Sequence, residues 1–168
     1  QTLEATMFGN GAAGDNNPAG LLYGVTAEKA DLKYGNIVDM ETALQKNNFT
    51  NISFVGAYDT LGKLKQTEKV SGYPVYLYEN GQIDGRRTFA SNNVSSMGLI
   101  AGDFSELTIG QWGGIELVYD PYTQALKDSV RLIVHAYFNY FVRRGFDKKG
   151  NDILPFEKKI LYTATTGA

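Results

Sequence analysis

Apolar and polar positions alternate most sharply over residues 130–142, VRLIVHAYFNYFV. Val130, Leu132, Val134, Ala136, Phe138, Tyr140 and Val142 fill the even positions, while the odd ones mix Arg131, Ile133, His135, Tyr137, Asn139 and Phe141. A period of two in β-branched and aromatic residues predicts a strand. At about 3.3 Å per residue it would run roughly 40 Å, about twice the usual length. Val130, Val134, Tyr137 and Phe141 would form the face of a helix, the alternative reading of the same stretch. A strand this long suits an extended sheet reaching toward neighbours better than the inside of a compact domain.

Shorter patterns surround it. Residues 2–8 read as the tail of a helix or strand, and 9–20, GNGAAGDNNPAG, as a loop. The loop lacks the lysine and hydroxyl of a GxxxxGK[ST] phosphate cradle, so a surface role is expected. Leu21, Leu22 and Tyr23 predict a short strand. Over 34–46 the period turns helical, with Ile37, Met40 and Leu44 on one face and Asn47 and Asn48 as capping candidates. Residues 49–55 return to strand, and 59–65 predict a second helix, with Asp39, Glu41 and Asp59 on solvated faces.

A strand is expected over 72–78, confined by Pro74 to an edge or a first position. Asn80-Gly81 and Asp84-Gly85 are turn signals that leave Gln82 and Ile83 in an exposed loop or small hairpin. Residues 97–101 and 115–119 predict further strands, the second broken by Asp120-Pro121. A polar turn follows at 145–151 and a last strand at 156–164, before a small, polar tail at 165–168. This order predicts an α+β fold, a mixed sheet flanked by helices with an antiparallel β extension. No internal repeat, low-complexity segment or clean linker divides the chain.

Composition narrows the chemistry. The 168 residues suffice for one domain with a sizeable core, and a net charge of −2 gives no reason to expect nucleic acid as a direct ligand. No apolar run approaches the ~20 residues that a membrane helix needs, so no membrane partner is expected. Without cysteine, disulfides and thiolate sites are excluded, and the single His135 excludes multi-histidine metal sites. The chain opens on Gln1 without a signal-peptide pattern, which suggests a piece of something larger.

No catalytic constellation can be assembled. There is no GxSxG elbow, HExxH or DxDxDG, and His135 lies mid-strand between Val134 and Ala136, where a packed or interface histidine is expected rather than a general base. No catalytic residue, metal ligand or cofactor is therefore assigned. Trp112, within Gly110-Gln111-Trp112-Gly113-Gly114, is either a core anchor at a sheet corner or an interface aromatic. Arg86 and Arg87 are surface charges or partners for a neighbour's carboxylates.

Residues 102–145, GDFSELTIGQWGGIELVYDPYTQALKDSVRLIVHAYFNYFVRRG, resemble the C-terminal part of Hong Kong 97-type tailed-phage major capsid proteins. In that family a Gly-Asp-aromatic turn, an Ile-Gly segment, a strand, an Asp-x-x-Thr break and a long strand follow in this order. FGNGAAGDNNPAGLL, DLKYGNIVDMETAL, FVGAYDTLGKLK and VSGYPVYL are similar to further family segments, in family order, so the resemblance covers about residues 8–146.

The resemblance implies a Hong Kong 97-like capsid fold and a structural, non-enzymatic shell subunit. It implies a peripheral-domain segment and entry loop at 1–24, an axial-type domain at 25–112, and long strands of a partial peripheral domain at 113–168. Arm, extended loop and spine helix would lie upstream of Gln1. Implied partners are copies of the chain in pentamers and hexamers, other capsid and portal proteins, and enclosed double-stranded DNA through diffuse contacts. The implied location is the virion, and the host cytoplasm during assembly. Candidate subunit contacts are Trp112, His135, Arg143, Arg144, Arg86 and Arg87. Asp128 and His135 stand where some members carry the asparagine and glutamate of a covalent cross-link; aspartate offers no amide, so cross-linking is not carried over. The insert ENGQIDGRRTFASNN departs from the family by its length and polarity. An encapsulin-like nanocompartment shell, and an α+β enzyme or ligand-binding domain with a deep polar pocket, are the alternatives.

Overall fold

Helix α2 (Tyr34–Lys46) forms where the helical period begins, and its buried side chains are the expected Ile37, Met40 and Leu44. It stops at the two asparagines. Asn47 donates its N–H to the Leu44 carbonyl at 3.0 Å. Asn48 takes a left-handed φ of 66° and donates to the Gln45 carbonyl at 2.9 Å, a conformation asparagine tolerates better than most residues. The computed structural model describes residues 3–9, 11–14, 18–123, 125–127, 129–146 and 149–162. Before α2 come a short helix α1 (Leu3–Met7) and a polar strand β1 (Glu28–Asp31).

After α2 the chain alternates strand and helix through β2 (Ile52–Gly56) and α3 (Tyr58–Leu64). The hairpin β3 (Gln82–Ile83) and β4 (Arg86–Ala90) follows, then β5 (Gly98–Asp103), buried along its whole length. The long strands β6 (Leu107–Asp120) and β7 (Arg131–Val142) come next. The chain ends in β8 (Gly145–Phe146), β9 (Asp152–Ile153) and β10 (Phe156–Tyr162). Six strands make one mixed sheet in the order β1-β10-β5-β2-β4-β3, while β6 with β7 and β8 with β9 form separate two-stranded pairs. The architecture is the expected α+β one.

The sheet has a core on each face because alternate residues of β2 and β5 point opposite ways. Ile52, Phe54, Leu99 and Ala101 pack with Ile37, Met40, Leu44, Leu61 and Leu64 of the helices. Val55, Ile100 and Phe156 pack on the other face with Leu21, Leu22 and Tyr140. Gly102 is required there, since a Cβ on it would lie 2.0 Å from the Phe156 ring.

Several expectations are corrected. Leu21–Tyr23 is a turn, not a strand: Leu21 N–H donates to the Met7 carbonyl at 2.8 Å, Tyr23 N–H to that of Gly20 at 2.9 Å, and both leucines are buried. Residues 72–78 are turns, because Pro74 cannot donate and Tyr73 closes on the Val70 carbonyl at 3.1 Å; only an isolated Glu68 to Tyr76 bridge forms. Ile83 belongs to the core at 1 % exposure, since left-handed Asp84 and Gly85 close a tight hairpin that points it inward. Asp59 is exposed on α3 as expected, and its carboxylate also accepts from the Ser96 hydroxyl, from Thr60 N–H at 2.7 Å and from Met97 N–H at 3.1 Å. The Ser96 hydroxyl holds its pKa below the ordinary value. The segment 110–114 is no corner but the middle of β6. The final strand ends at Tyr162 and returns to the sheet between β1 and β5; residues 163–168 lie outside those described.

Candidate assembly surface

Strands β6 and β7 pair antiparallel over nearly their whole length, from Leu107 opposite Val142 to Asp120 opposite Arg131. They form a two-stranded ribbon, which excludes the helical reading of residues 130–142. Alternation divides its side chains between two faces. One face carries the cross-strand pairs Leu132–Tyr119, Val134–Leu117, Phe138–Gln111, Tyr140–Ile109 and Val142–Leu107. The other carries Arg131–Asp120, Ile133–Val118, His135–Glu116, Tyr137–Trp112, Asn139–Gly110 and Phe141–Thr108. The first is almost purely apolar; the second mixes aromatics with opposite charges.

The foot of the ribbon is fastened to the body. Tyr140 is 5 % exposed, and Leu107 and Val142 pack against the core that holds Leu21 and Leu22. Burial pushes the Tyr140 hydroxyl above its ordinary pKa, and its oxygen finds no hydrogen-bond partner. Arg143 grips Glu106 with its guanidinium, one contact measuring 2.7 Å, and donates its backbone N–H to the Glu106 carbonyl at 2.9 Å. That grip holds the Glu106 carboxyl below its ordinary range. Arg144 pairs with Asp152 at 2.9 Å.

Beyond the foot the apolar face is uncovered. Leu117 is 64 % exposed and Val134 62 %, and Ile115, Tyr119, Leu132 and Phe138 are exposed with them. Six such side chains offer roughly 600 Å², taking about 100 Å² for each. A stable interface takes about 800 Å² from each partner. At the tip, Asp120 accepts from Tyr122 N–H at 3.0 Å and Thr123 N–H at 3.1 Å, the Asx-type turn that ends β6.

The sequence-predicted contact residues divide into groups. Trp112 and His135 share the mixed face, both exposed, and the 59 % exposure of Trp112 overturns the core-anchor reading. Arg143 and Arg144 stand at the foot in ion pairs within the chain. Arg86 is likewise tied down, reaching Glu41 of α2 at 2.7 Å, whereas Arg87 is exposed. Arg86 and Arg87 lie in β4, across the sheet from the ribbon's origin after β5. Glu116, Glu106 and the first half of β6 were missed. Leu107, Ile109 and Gln111 alternate correctly, but the glycines after them read as a turn. Asp128 lies outside the described residues.

A concavity of about 500 Å³ beside β1 and β9 is lined by Thr26, Glu28, Asp39, Asn47, Asp152 and Glu157 among others. Asp152 is already engaged by Arg144, and no cluster of His, Asp and Glu among the described residues could hold a metal ion.

A small mixed-sheet body that extends a long, partly uncovered β ribbon is the fold of Hong Kong 97-type capsid subunits. Aligned with the solved structure labelled Mycobacterium phage Bobi, the chain gives a TM-score of 0.70 at 16% identity, covering 96% of this chain and 60% of that one. With the capsid of an empty GTA particle the values are 0.65 and 20%, over 96% and 60%.

The chain belongs to the phage capsid family, whose family model matches residues 1–144. It is 30% identical over 149 residues to the major capsid protein of Halomonas phage phiHAP-1, covering 85% of this chain and 24% of that protein. The chain thus spans about a quarter of that curated relative and about three fifths of the solved chains it matches.

Proposed function

We propose that this chain is part of a structural, non-enzymatic subunit of an icosahedral phage or prophage capsid that self-assembles to enclose double-stranded DNA. The observation that carries the reading is the ribbon's apolar face, continuous with the core at its foot and bare beyond it. Water-exposed apolar area of this extent marks a surface built to be covered. In the assembled particle the cover comes from chain outside these residues or from neighbouring copies. We read the body, the six-stranded sheet and its helices, as the axial domain and the ribbon as part of the peripheral one, which moves β10 out of the expected 113–168 segment and starts the ribbon at Leu107.

Copies of the subunit are the main partners, arranged in rings of five and six, because a repeated head-to-tail contact closes into a ring. Portal and other capsid proteins complete the shell, and the DNA contact is diffuse. The protein then resides in the virion, and in the host cytoplasm during assembly. Trp112 and His135 on the mixed face, Arg87, and the ion-paired Arg86, Arg143 and Arg144 are proposed to lie at or near subunit contacts. A nanocompartment shell is not favoured, since the relatives reported above are phage and GTA particle proteins.

Electron microscopy of the full-length gene product expressed alone tests the reading. Shells or capsomers are expected; a homogeneous monomer would overturn it.

A further inference from the structure

The ribbon is not uniform along its length. Trp112 stands opposite Tyr137 and Glu116 opposite His135, so Gly113, Gly114 and Ile115 together face the single residue Ala136. Two residues more on one strand than on the other break the ladder at that point, and a bulge bends and twists the strand that carries it. Gly113 takes a left-handed φ of 69°, and a Cβ on either glycine would meet nothing within 4 Å. Glycine has the largest backbone freedom of any residue, and here no neighbour restricts it.

Side chains fasten the two halves differently. On the foot side, Tyr140 is buried, Arg143 grips Glu106, and the Trp112 ring folds back over Gly110, 3.1 Å from where a Cβ would be. Trp112 thus braces the foot and does not reach across the bulge. On the tip side, Ile115, Leu117, Tyr119, Leu132 and Val134 are all exposed. Among the described residues no hydrogen bond or ion pair outside the β6–β7 ladder joins the tip half to the body.

We propose that the Gly113–Gly114 bulge is a hinge, dividing the ribbon into a fixed foot and an arm that changes its angle to the body. Both paired strands continue through it, so the arm swings as a unit and keeps the same cross-strand pairs on each side. Nothing in this depends on a shell. Its use there does rest on the capsid reading: subunits in rings of five and of six meet neighbours at different angles, and a jointed arm lets one sequence serve both.

Spin-label distances test the hinge. The 168 residues contain no cysteine, so labels are placed by substitution in the full-length gene product, with any cysteine outside them replaced and labelled subunits diluted in unlabelled ones. One label goes on α2 by Lys46→Cys, and the second on the foot (Thr108→Cys), just past the bulge (Glu116→Cys) or at the tip (Leu126→Cys). The expected result is a narrow distribution to Thr108 and distributions at least about twice as wide to Glu116 and Leu126. Deleting Gly113 and Gly114 leaves Ile115 alone opposite Ala136 and is expected to narrow the two wide distributions. The hinge is overturned if all three are equally narrow in the unaltered protein, or if width appears only beyond Glu116. It is equally overturned if the folded deletion variant keeps its width. The native comparison decides the matter even where the deletion does not fold. Distance widths report the hinge and micrographs report the shell, so either idea can fail alone.

Discussion

Burying a tyrosine brings a hydroxyl into apolar surroundings, and at Tyr140 that hydroxyl is left without a partner. An unsatisfied buried polar group costs about 1–3 kcal/mol, whereas phenylalanine keeps the ring and removes the cost. Tyr140→Phe is therefore expected to raise stability by about 1 kcal/mol in urea unfolding; a clear loss would show that the hydroxyl is satisfied in solution. The pH dependence follows from the same burial. The folded-state pKa is raised above its ordinary value of 10.0, so ionisation costs the fold nothing below that pH and favours unfolding as pH climbs from there through the folded value. Wild type is expected to lose stability above about pH 10 relative to Tyr140→Phe. Parallel alkaline profiles would refute it. Asp59 works in the opposite sense, because its pKa is lowered by Ser96 and by the N–H groups of Thr60 and Met97. Its contribution is present above the ordinary carboxylate range and lost as pH falls through the folded value. Asp59→Ala is expected to cost about 1 kcal/mol at neutral pH, the net worth of hydrogen bonds to an exposed carboxylate. That difference from wild type should shrink in acid.

Strands β5 and β10 meet where Gly102 leaves room for the Phe156 ring. Filling that room forces ring or backbone to move, and overpacking of a core typically costs about 1–3 kcal/mol. Gly102→Ala should show such a loss in chemical denaturation, and an unchanged midpoint would mean the two strands are more loosely packed than described. The ribbon predicts the reverse. Leu117→Lys with Val134→Glu alters only exposed positions and sets opposite charges on one cross-strand pair, so the thermal midpoint should hold while aggregation of the 168-residue chain falls. A large drop in midpoint would place these side chains in a core. Elements with a strong period, α2 and β7, were legible in the sequence because amphipathic burial imposes that period. Elements decided by a single backbone feature were not. Ile83 is buried by two tight turns around a two-residue strand, too short to show alternation. β1, Glu28–Asp31, is polar because it is an edge strand, and it carries no apolar signal. The glycines of β6 read as punctuation, although a bulge lets a strand pass through them. At the candidate surface the exposed face of β7 was foreseeable from its length, but the partners of Arg86, Arg143 and Arg144 are remote in sequence and became visible only in the fold.

Taken whole, the chain is a well-packed body and an arm whose apolar side chains lie outside that packing. The arm is what makes an assembly argument testable. Trp112 touches the foot of the ribbon over Gly110 and is otherwise exposed, so truncating it removes surface rather than core. Arg143 differs, because its bond to Glu106 closes the ribbon's foot, and losing it acts on the arm's footing as well as on any neighbour. Exposed ion pairs are worth at most about 1 kcal/mol, so Arg143→Ala should leave the body folded. In the full-length product, Trp112→Ala with Arg143→Ala is expected to lower particle yield while the soluble subunit keeps its circular dichroism and its midpoint within a few degrees. Trp112→Ala alone should do so while the Arg143–Glu106 pair stays closed, and Glu106→Gln should reproduce only the Arg143 part. Added salt separates the contributions further, since screening weakens exposed charge pairs and leaves apolar contact intact. The yield lost through Arg143 should therefore narrow relative to wild type at high salt, while that lost through Trp112 persists. Normal particles from the double variant at every salt concentration would remove both residues from the contact surface and leave the apolar face alone to explain assembly.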